Sequence, residues 1–159
     1  MKHKPLPKLG SDPMDAYSIP VTAEKTRLAQ VFGMRPREKP EKPGRSLSVV
    51  WDGRKPLVEG FENRYSYTVT FEREGSCAGN HFHEEKRELF IPVVGNFRVL
   101  LEDVATKDKE EIRLETARHP VLLVRPGIAH AAIAESVPAV LLVLATYPAS
   151  EEDEFAYKL

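Results

Sequence analysis

Three of the five histidines in this chain lie in two short stretches where their spacing suits metal binding or proton transfer. His81 and His83 are two positions apart, and Glu88 follows within the same stretch, residues 75–95. In a β-strand the side chains of residues i and i+2 point to the same face, so the two imidazoles would converge on one point. His130 follows a Pro-Gly turn further along the chain. Imidazoles combined with a carboxylate suit iron, manganese, nickel, copper or zinc and leave positions open for water or substrate.

The elements that must position these residues are short strands. From residue 46 onward the pattern predicts about eight strands, with turn signals about every 8 to 12 residues, which favours a sandwich or jelly roll. Residues 63–71 alternate most clearly and place on one face Tyr65, Tyr67, Val69 and Phe71. Tyr67 therefore either packs in the core or lines a pocket with its phenol. Between two apolar runs, Gly95-Asn96 predicts a two-residue hairpin turn.

The N-terminal part of the chain differs in composition. Residues 1–45 are rich in proline and hold more Lys and Arg than Asp and Glu, which predicts extended segments. Residues 22–32 predict a short helix that is capped by Thr22 and stops at Gly33. We therefore divide the chain into an extended N-terminal arm at residues 1–44, which can lie across a partner subunit, and a single domain at residues 45–159. The acidic run at residues 151–154 predicts a solvated tail.

Composition argues against several classes of partner. The formal net charge is −1, which does not indicate binding to nucleic acid or to an anionic membrane surface. No apolar run approaches the ~20 residues of a membrane-spanning helix. The single Cys77 forms no internal disulfide, and the basic, proline-rich start lacks the apolar segment of a signal peptide. We therefore expect a cytoplasmic protein that acts on a small molecule.

The motif around the histidine pair resembles that of a known family. The order Gly75, His81-x-His83, Glu88 and Gly95 matches the first motif of the cupins, and Pro126-Gly127-x-x-His130 resembles the second. The second motif departs from the cupin pattern at Arg125 and at Ala134, where cupins usually carry Pro and Asn. The resemblance implies an all-β fold, the double-stranded β-helix or jelly roll. It also implies a divalent transition metal bound by His81, His83, Glu88 and His130.

A narrower resemblance covers residues 44–157. Stretches at residues 44–47, 63–67, 79–83, 125–130 and 139–146 resemble the cupin-type sugar-nucleotide 3,4-ketoisomerases, which are similar to the deoxythymidine-diphosphate-sugar 3,5-epimerases. This resemblance implies a homodimer that uses no metal and moves protons beside a sugar carbonyl, with His81 and His83 as the acid and base. These ketoisomerases carry Gln where this chain has Glu88. The broad and the narrow resemblance therefore disagree about the metal.

Two classes of function follow from these observations. The first is an isomerase or epimerase that moves protons next to a carbonyl of a nucleotide-linked sugar in surface polysaccharide biosynthesis, with His81, His83 and Tyr67 as catalytic residues. We expect it to bind a metal and to form a homodimer. An alternative enzyme is a metal-dependent cupin dioxygenase. The second class is a non-catalytic cupin module that binds a metal or a sugar.

Overall fold

The computed structural model describes residues 21–38 and 41–159. Apart from one turn of 3₁₀-helix at Thr116–Arg118, the regular secondary structure of this part of the chain consists of strands. The strands are β1 (Thr22–Lys25), β2 (Gln30–Gly33), β3 (Arg37–Glu38), β4 (Ser46–Leu47), β5 (Tyr65–Phe71), β6 (Cys77–Phe82), β7 (Glu88–Val94), β8 (Asn96–Asp103), β9 (Lys109–Glu115), β10 (Pro120–Val124), β11 (Ile128–Ala134), β12 (Ala139–Ala145) and β13 (Phe155–Ala156). Within the described ranges no helix has the length and apolar character needed to cross a membrane.

Two antiparallel sheets form the body of the protein. One has six strands in the order β1-β2-β10-β7-β12-β5, and the other has five in the order β13-β6-β11-β8-β9. Side chains from both sheets share one hydrophobic core, which includes Phe90, Leu122 and Leu141 from the first sheet and Phe97, Val99 and Leu101 from the second. This arrangement confirms the predicted all-β jelly roll.

The six-stranded sheet is covered on both of its faces. Every residue of β10 is buried, because a second hydrophobic cluster lies on the outer face of this sheet. Phe61 belongs to that cluster, and Trp51 packs beside it with the ring centroids 5.6 Å apart. The strand pattern predicted from residue 46 onward is wrong for this stretch beyond the two residues of β4, because the next strand begins only at Tyr65. Trp51, at the end of that stretch, instead packs against the second hydrophobic cluster.

The connection at Gly95 is not the predicted hairpin. It joins β7 in one sheet to β8 in the other, and these two strands do not pair with each other. Gly95 has a φ of 76°, and a Cβ at this position would lie 2.9 Å from the carbonyl oxygen of Pro138. Only glycine fits such a close approach in the left-handed region. Gly95-Asn96 therefore does mark a turn, but the turn connects two sheets and not two paired strands.

The helix predicted at residues 22–32 is also wrong. This segment forms the β1–β2 hairpin, and β2 pairs with β10, so that Phe32 lies opposite Val121. Phe32 is buried, and the hairpin loop is fixed by the Glu110 carboxylate, which accepts hydrogen bonds from the hydroxyl of Thr26 and the amide of Leu28, both at 2.8 Å. Residues 22–33 thus belong to the six-stranded sheet, and the arm predicted for residues 1–44 does not include them. The predicted arm at residues 1–20 lies outside the described residues.

Candidate functional site

The structure brings together all four residues that the cupin motifs single out. His81 lies near the end of β6 and His83 just beyond it, while Glu88 begins β7 and His130 lies on β11. One potential ligand atom from each of these side chains lies within 4.8 Å of the others. The histidines come from the five-stranded sheet or its edge, and Glu88 comes from the six-stranded sheet, so the cluster lies between the two sheets.

A bulge in the five-stranded sheet brings two of the histidines side by side. His130 pairs with His81, and the register between β6 and β11 shifts immediately after this pair. Gly79 makes the shift possible, since it has a φ of 107° and a Cβ there would lie 2.6 Å from the carbonyl oxygen of His130. The rings of His81 and His130 consequently approach to 4.7 Å between centroids.

Two of the imidazoles are held by backbone carbonyl groups. Nδ1 of His83 donates a hydrogen bond to the carbonyl oxygen of Asp153, and Nδ1 of His130 donates one to the carbonyl oxygen of Ile128 at 3.1 Å. A carbonyl oxygen can only accept, so each Nδ1 must carry a proton. The neutral form of each ring therefore has its lone pair on Nε2, which is the tautomer expected of a metal ligand or a base.

Both Nε2 atoms face the carboxylate of Glu88, which is 1% exposed. Oε2 of Glu88 lies 3.2 Å from Nε2 of His130 and 3.7 Å from Nε2 of His83. Within the described part of the chain, neither Oε2 nor Nε2 of His83 has a hydrogen-bond partner. Buried polar atoms of this kind are costly unless they are paired. Oε2 of Glu88 and the two Nε2 atoms thus face one another, and they are satisfied only by a cation, either a proton on one imidazole or a metal ion between them.

The electrostatics of the site keep its groups in defined protonation states. Burial lowers the pKa of His83, and burial together with the neighbouring His130 lowers the pKa of His81 to about 4. Burial opposes the ionised form of Glu88, but the hydrogen bond and charge of His130 hold the pKa of this carboxyl well below its usual range. At neutral pH the site therefore combines neutral imidazoles at His81 and His83 with an ionised carboxylate.

Tyr67 joins this cluster through its hydroxyl. Its Oη donates a hydrogen bond to Oε1 of Glu88 at 3.2 Å, so the phenol lines the site and is not merely a core ring. Burial raises the pKa of Tyr67, and the adjacent Glu88 carboxylate raises it further. The phenol therefore keeps its proton at neutral pH and can act as a hydrogen-bond donor or an acid.

The residues present fit a divalent transition metal. His81, His83, Glu88 and His130 supply three nitrogens and one oxygen, a mixed set typical of catalytic sites. The carbonyl partners of His83 and His130 orient these rings in the way that outer partners orient metal ligands in known sites. The unpaired Oε2 of Glu88 and Nε2 of His83 are the strongest sign of fit, because a cation would satisfy both atoms at once.

One part of the site is missed by sequence reasoning. The acidic run at residues 151–154 predicts a solvated tail, but Asp153 contacts His83, and Oε1 of Glu154 lies 3.6 Å from Nδ1 of His81. The following strand β13 pairs with β6 and holds this segment beside the histidines. The only available signal is the alternation of Phe155 and Tyr157 after the acidic residues, which is too short to predict a strand.

Comparison with known proteins finds solved structures of the same fold. No curated protein matches the chain. Among solved structures, a 3,4-ketoisomerase from Helicobacter canadensis shares 19% identity over 80% of this chain and 89% of its own, with a TM-score of 0.67. A mutant of the 3,4-ketoisomerase QdtA from Thermoanaerobacterium thermosaccharolyticum, in complex with TDP-4-keto-6-deoxyglucose, shares 17% identity over 82% and 88%, with a TM-score of 0.69. The rmlC epimerase of Mycobacterium tuberculosis shares 12% identity over 84% and 71%, with a TM-score of 0.68.

At these identities the solved structures establish the shared fold. A family model gives the closer assignment, because it matches residues 31–157 and so includes most of β2, all four clustered residues and the C-terminal strand. The resemblance inferred from the motifs is therefore confirmed, and the chain belongs to the family described as FdtA: WxcM-like, C-terminal.

Proposed function

We propose that this protein is an isomerase or epimerase that moves protons next to the carbonyl of a nucleotide-linked sugar. The observation that carries the proposal is that an imidazole and a phenol both adjoin Glu88 in one site: a ring nitrogen of His81 lies within 4.8 Å of a Glu88 carboxylate oxygen, and the hydroxyl of Tyr67 donates a hydrogen bond to that carboxylate. The shared fold supports it, since the similar structures named above are sugar ketoisomerases and an epimerase. The substrate class we propose is a nucleoside diphosphate linked to a keto sugar.

The reaction needs a base for a carbon-bound proton and an acid for the carbonyl oxygen. His81 suits the base, because its side chain is 20% exposed, whereas those of His83 and His130 are 3% and 2% exposed. Its lowered pKa of about 4 leaves the ring free to accept a proton at neutral pH. Tyr67 suits the donor to the carbonyl oxygen, because its raised pKa keeps the hydroxyl protonated at neutral pH.

The proton balance of this reaction closes without any reactant other than solvent water. His81 takes the proton from the carbon next to the carbonyl, and Tyr67 protonates the carbonyl oxygen, which gives an enediol. In a ketoisomerisation, the neighbouring hydroxyl then returns its proton to Tyr67 as its carbon becomes the carbonyl. The proton on His81 is delivered to the former carbonyl carbon. In an epimerisation, solvent water supplies the proton to the opposite face of the original carbon, the enol oxygen returns its proton to Tyr67, and His81 gives its proton back to the solvent.

We also propose that His83, Glu88 and His130 hold a divalent transition metal, with His81 as the fourth and more exposed neighbour. The support is the inward-facing Nε2 atoms and the unpaired Oε2 of Glu88. When bound, such an ion supplies a Lewis acid for a substrate carbonyl oxygen. His83, Glu88 and His130 would supply the ligand atoms for the ion, and His81 stays available as the base.

The test is solvent exchange into a defined substrate. The protein is incubated in deuterated water with TDP-4-keto-6-deoxyglucose, and deuterium at the carbons next to the carbonyl is followed by NMR. We expect exchange and an isomerised product with the wild type, and a loss of about 100-fold or more in His81→Asn, because general bases contribute on this scale. The matched control is His119→Asn, an exposed histidine in the left-handed region that asparagine tolerates.

Two results would contradict the proposal. Equal exchange by His81→Asn and the wild type would remove His81 as the base. Oxygen consumption without deuterium exchange would favour the dioxygenase instead. Metal content of the wild type, purified without an affinity tag, tests the metal part separately.

A further inference from the structure

The carboxylate of Asp153 binds the backbone that joins His83 to Glu88. Its Oδ1 accepts hydrogen bonds from the amides of Glu84 and Glu85, at 2.7 and 3.1 Å. Its Oδ2 accepts one from the amide of Lys86 at 3.0 Å. Three consecutive amides of an irregular segment, which have no partner strand of their own, are thus satisfied by one side chain.

The fourth amide of the same segment is held from the other sheet. The amide of Arg87 donates to Oγ1 of Thr146 at 2.9 Å, and the amide of Thr146 donates to the carbonyl oxygen of Arg87 at 3.1 Å. Residues 84–87, which we call the linker, are therefore fixed along their whole length. The separation between His83 and Glu88 depends on this linker.

Asp153 also holds the imidazole at the start of the linker. Its carbonyl oxygen accepts the hydrogen bond from Nδ1 of His83, whereas its carboxylate Oδ2 is 4.0 Å from that nitrogen. The two ends of one residue thus have separate tasks. The carboxylate orders the linker, and the carbonyl group sets which nitrogen of His83 carries the proton.

Asp153 is itself rigidly placed. Phe155 pairs with Phe82 in the sheet and stacks on its ring, with centroids 5.2 Å apart. The hydroxyl of Tyr157 donates a hydrogen bond to Oε1 of Glu102 at 2.6 Å, and the amide of Tyr157 donates to the carbonyl oxygen of Asn80 at 2.8 Å. The segment after Asp153 is thus anchored to the five-stranded sheet, so it can impose a position on His83.

We propose that Asp153 is a positioning residue that fixes the Nδ1–H tautomer of His83 and the distance from His83 to Glu88. Its effect on turnover rests on the proposed function. Its effect on the tautomer and on metal binding does not, because both are properties of the free protein. Loss of the carboxylate would free the linker, so that His83 at its start could move away from the carbonyl group that it needs.

The test compares Asp153→Ala and Asp153→Asn with the control Glu152→Ala, an exposed neighbour in the same acidic run. The first readout is the tautomer of His83, measured from its imidazole ¹⁵N shifts above pH 7.5. The second is the affinity for Zn²⁺ alone, measured by calorimetry. The third is the separation of kcat from KM with TDP-4-keto-6-deoxyglucose.

We expect a graded response. Asp153→Asn keeps an oxygen for Glu84 and Glu85 but turns an amino group towards the amide of Lys86, so it loses one of three bonds. Asp153→Ala loses all three, and we expect a mixed His83 tautomer and a Zn²⁺ affinity lowered by about 10–100-fold, as for other partners of metal ligands. We expect kcat to fall while KM stays nearly constant, because the ground-state contacts remain. Glu152→Ala should match the wild type in all three readouts.

The wild-type tautomer and Zn²⁺ affinity in a folded Asp153→Ala variant would overturn the inference. If Asp153→Ala does not fold, Asp153→Asn decides the matter by the same two readouts. If no form of the protein isomerises the keto sugar while the His83 tautomer still changes, the proposed function fails and the positioning role stands.

Discussion

Replacing Glu88 by Gln alters one buried charge and leaves the shape of the side chain unchanged. Oε1 can still accept the hydrogen bond from the Tyr67 hydroxyl. The position of Oε2 becomes an amino group, which can donate to Nε2 of His130, 3.2 Å away, and to Nε2 of His83, 3.7 Å away. Because Nδ1 of His83 and of His130 donates a hydrogen bond to a carbonyl group, the neutral form of each ring has its lone pair on Nε2. We therefore expect the metal-free Gln variant to be more stable than the metal-free wild type.

The size of this effect follows from the atoms that gain a partner. Leaving a buried donor or acceptor unsatisfied costs about 1–3 kcal/mol. In a chain of this length 1 kcal/mol shifts the melting temperature by about 2–4 °C. We expect the metal-free Gln variant to melt at least ~2 °C higher. Its metal affinity should fall by more than the ~10–100-fold that loss of an outer partner costs, because Glu88 would be the one charged ligand.

The assay is a pair of melting curves for each protein at pH 8, one after chelator treatment and one with added Zn²⁺. The matched control is Glu85→Gln, which removes an exposed carboxylate from the linker. We expect added Zn²⁺ to raise the melting temperature of the wild type and the control, and to leave Glu88→Gln nearly unchanged, since binding to the folded state is what stabilises it.

A metal-free Glu88→Gln variant that melts below the metal-free wild type would refute the reasoning. It would mean that Glu88 is paired with protonated imidazoles and that the inward lone pairs do not exist. Deuterium exchange gives a second criterion. If the wild type is purified without metal and the variant exchanges at least as fast, His81 and His83 act without a metal, and the proposed metal site is wrong.

Three further predictions concern single side chains. Because the pKa of His81 is lowered to about 4 in the folded protein, the unfolded chain takes up a proton at this residue at higher pH, so the stability of the metal-free protein should fall as the pH drops from ~6.5 towards 4. In His81→Gln the melting temperature should depend less steeply on pH over that range. An equally steep dependence in the variant and the wild type would contradict this. Tyr67→Phe removes the hydrogen bond to Glu88 and should lower the free energy of unfolding, measured in urea, by about 1.5–3 kcal/mol. It should also slow the deuterium exchange. If neither the stability nor the exchange rate falls, Tyr67 is excluded from the site. Phe32→Ala should lower the free energy of unfolding by about 3–5 kcal/mol, because Phe32 is buried and belongs to a strand of the chain's own sheet. Light scattering should still give the mass of the homodimer that we expect. A change in mass without loss of stability would instead indicate that residues 22–33 act as a dimer arm.

Much of the fold was predictable because its signals are local. Alternation at residues 63–71 identified β5. The motif spacing placed His81, His83, Glu88 and His130 in one cluster. Such features survive in the sequence because strand alternation and tight glycine turns are dictated by the residues themselves.

The errors concern features that depend on partners distant in the sequence. The spacing of Leu28 and Phe32 suits one face of a helix, but these residues form a hairpin because β10 offers an edge and Glu110 binds the loop. Asp153 in an acidic run looks solvated until the linker amides are placed next to it. In each case a tertiary partner overrides the local preference.

The disagreement between the two resemblances at Glu88 has a physical meaning in this structure. A Gln at this position can satisfy the inward lone pairs of His83 and His130 with its amino group, so a site with Gln needs no cation. A Glu requires one, either a proton or a metal ion. A proton is disfavoured on His83, because burial lowers its pKa, and on Glu88, whose pKa lies well below its usual range. In the metal-free site a proton on Nε2 of His130 would pair with Oε2 of Glu88, 3.2 Å away, but would leave Nε2 of His83 without a partner. A metal ion satisfies the carboxylate and both lone pairs together, which supports the proposal that this member of the family binds one.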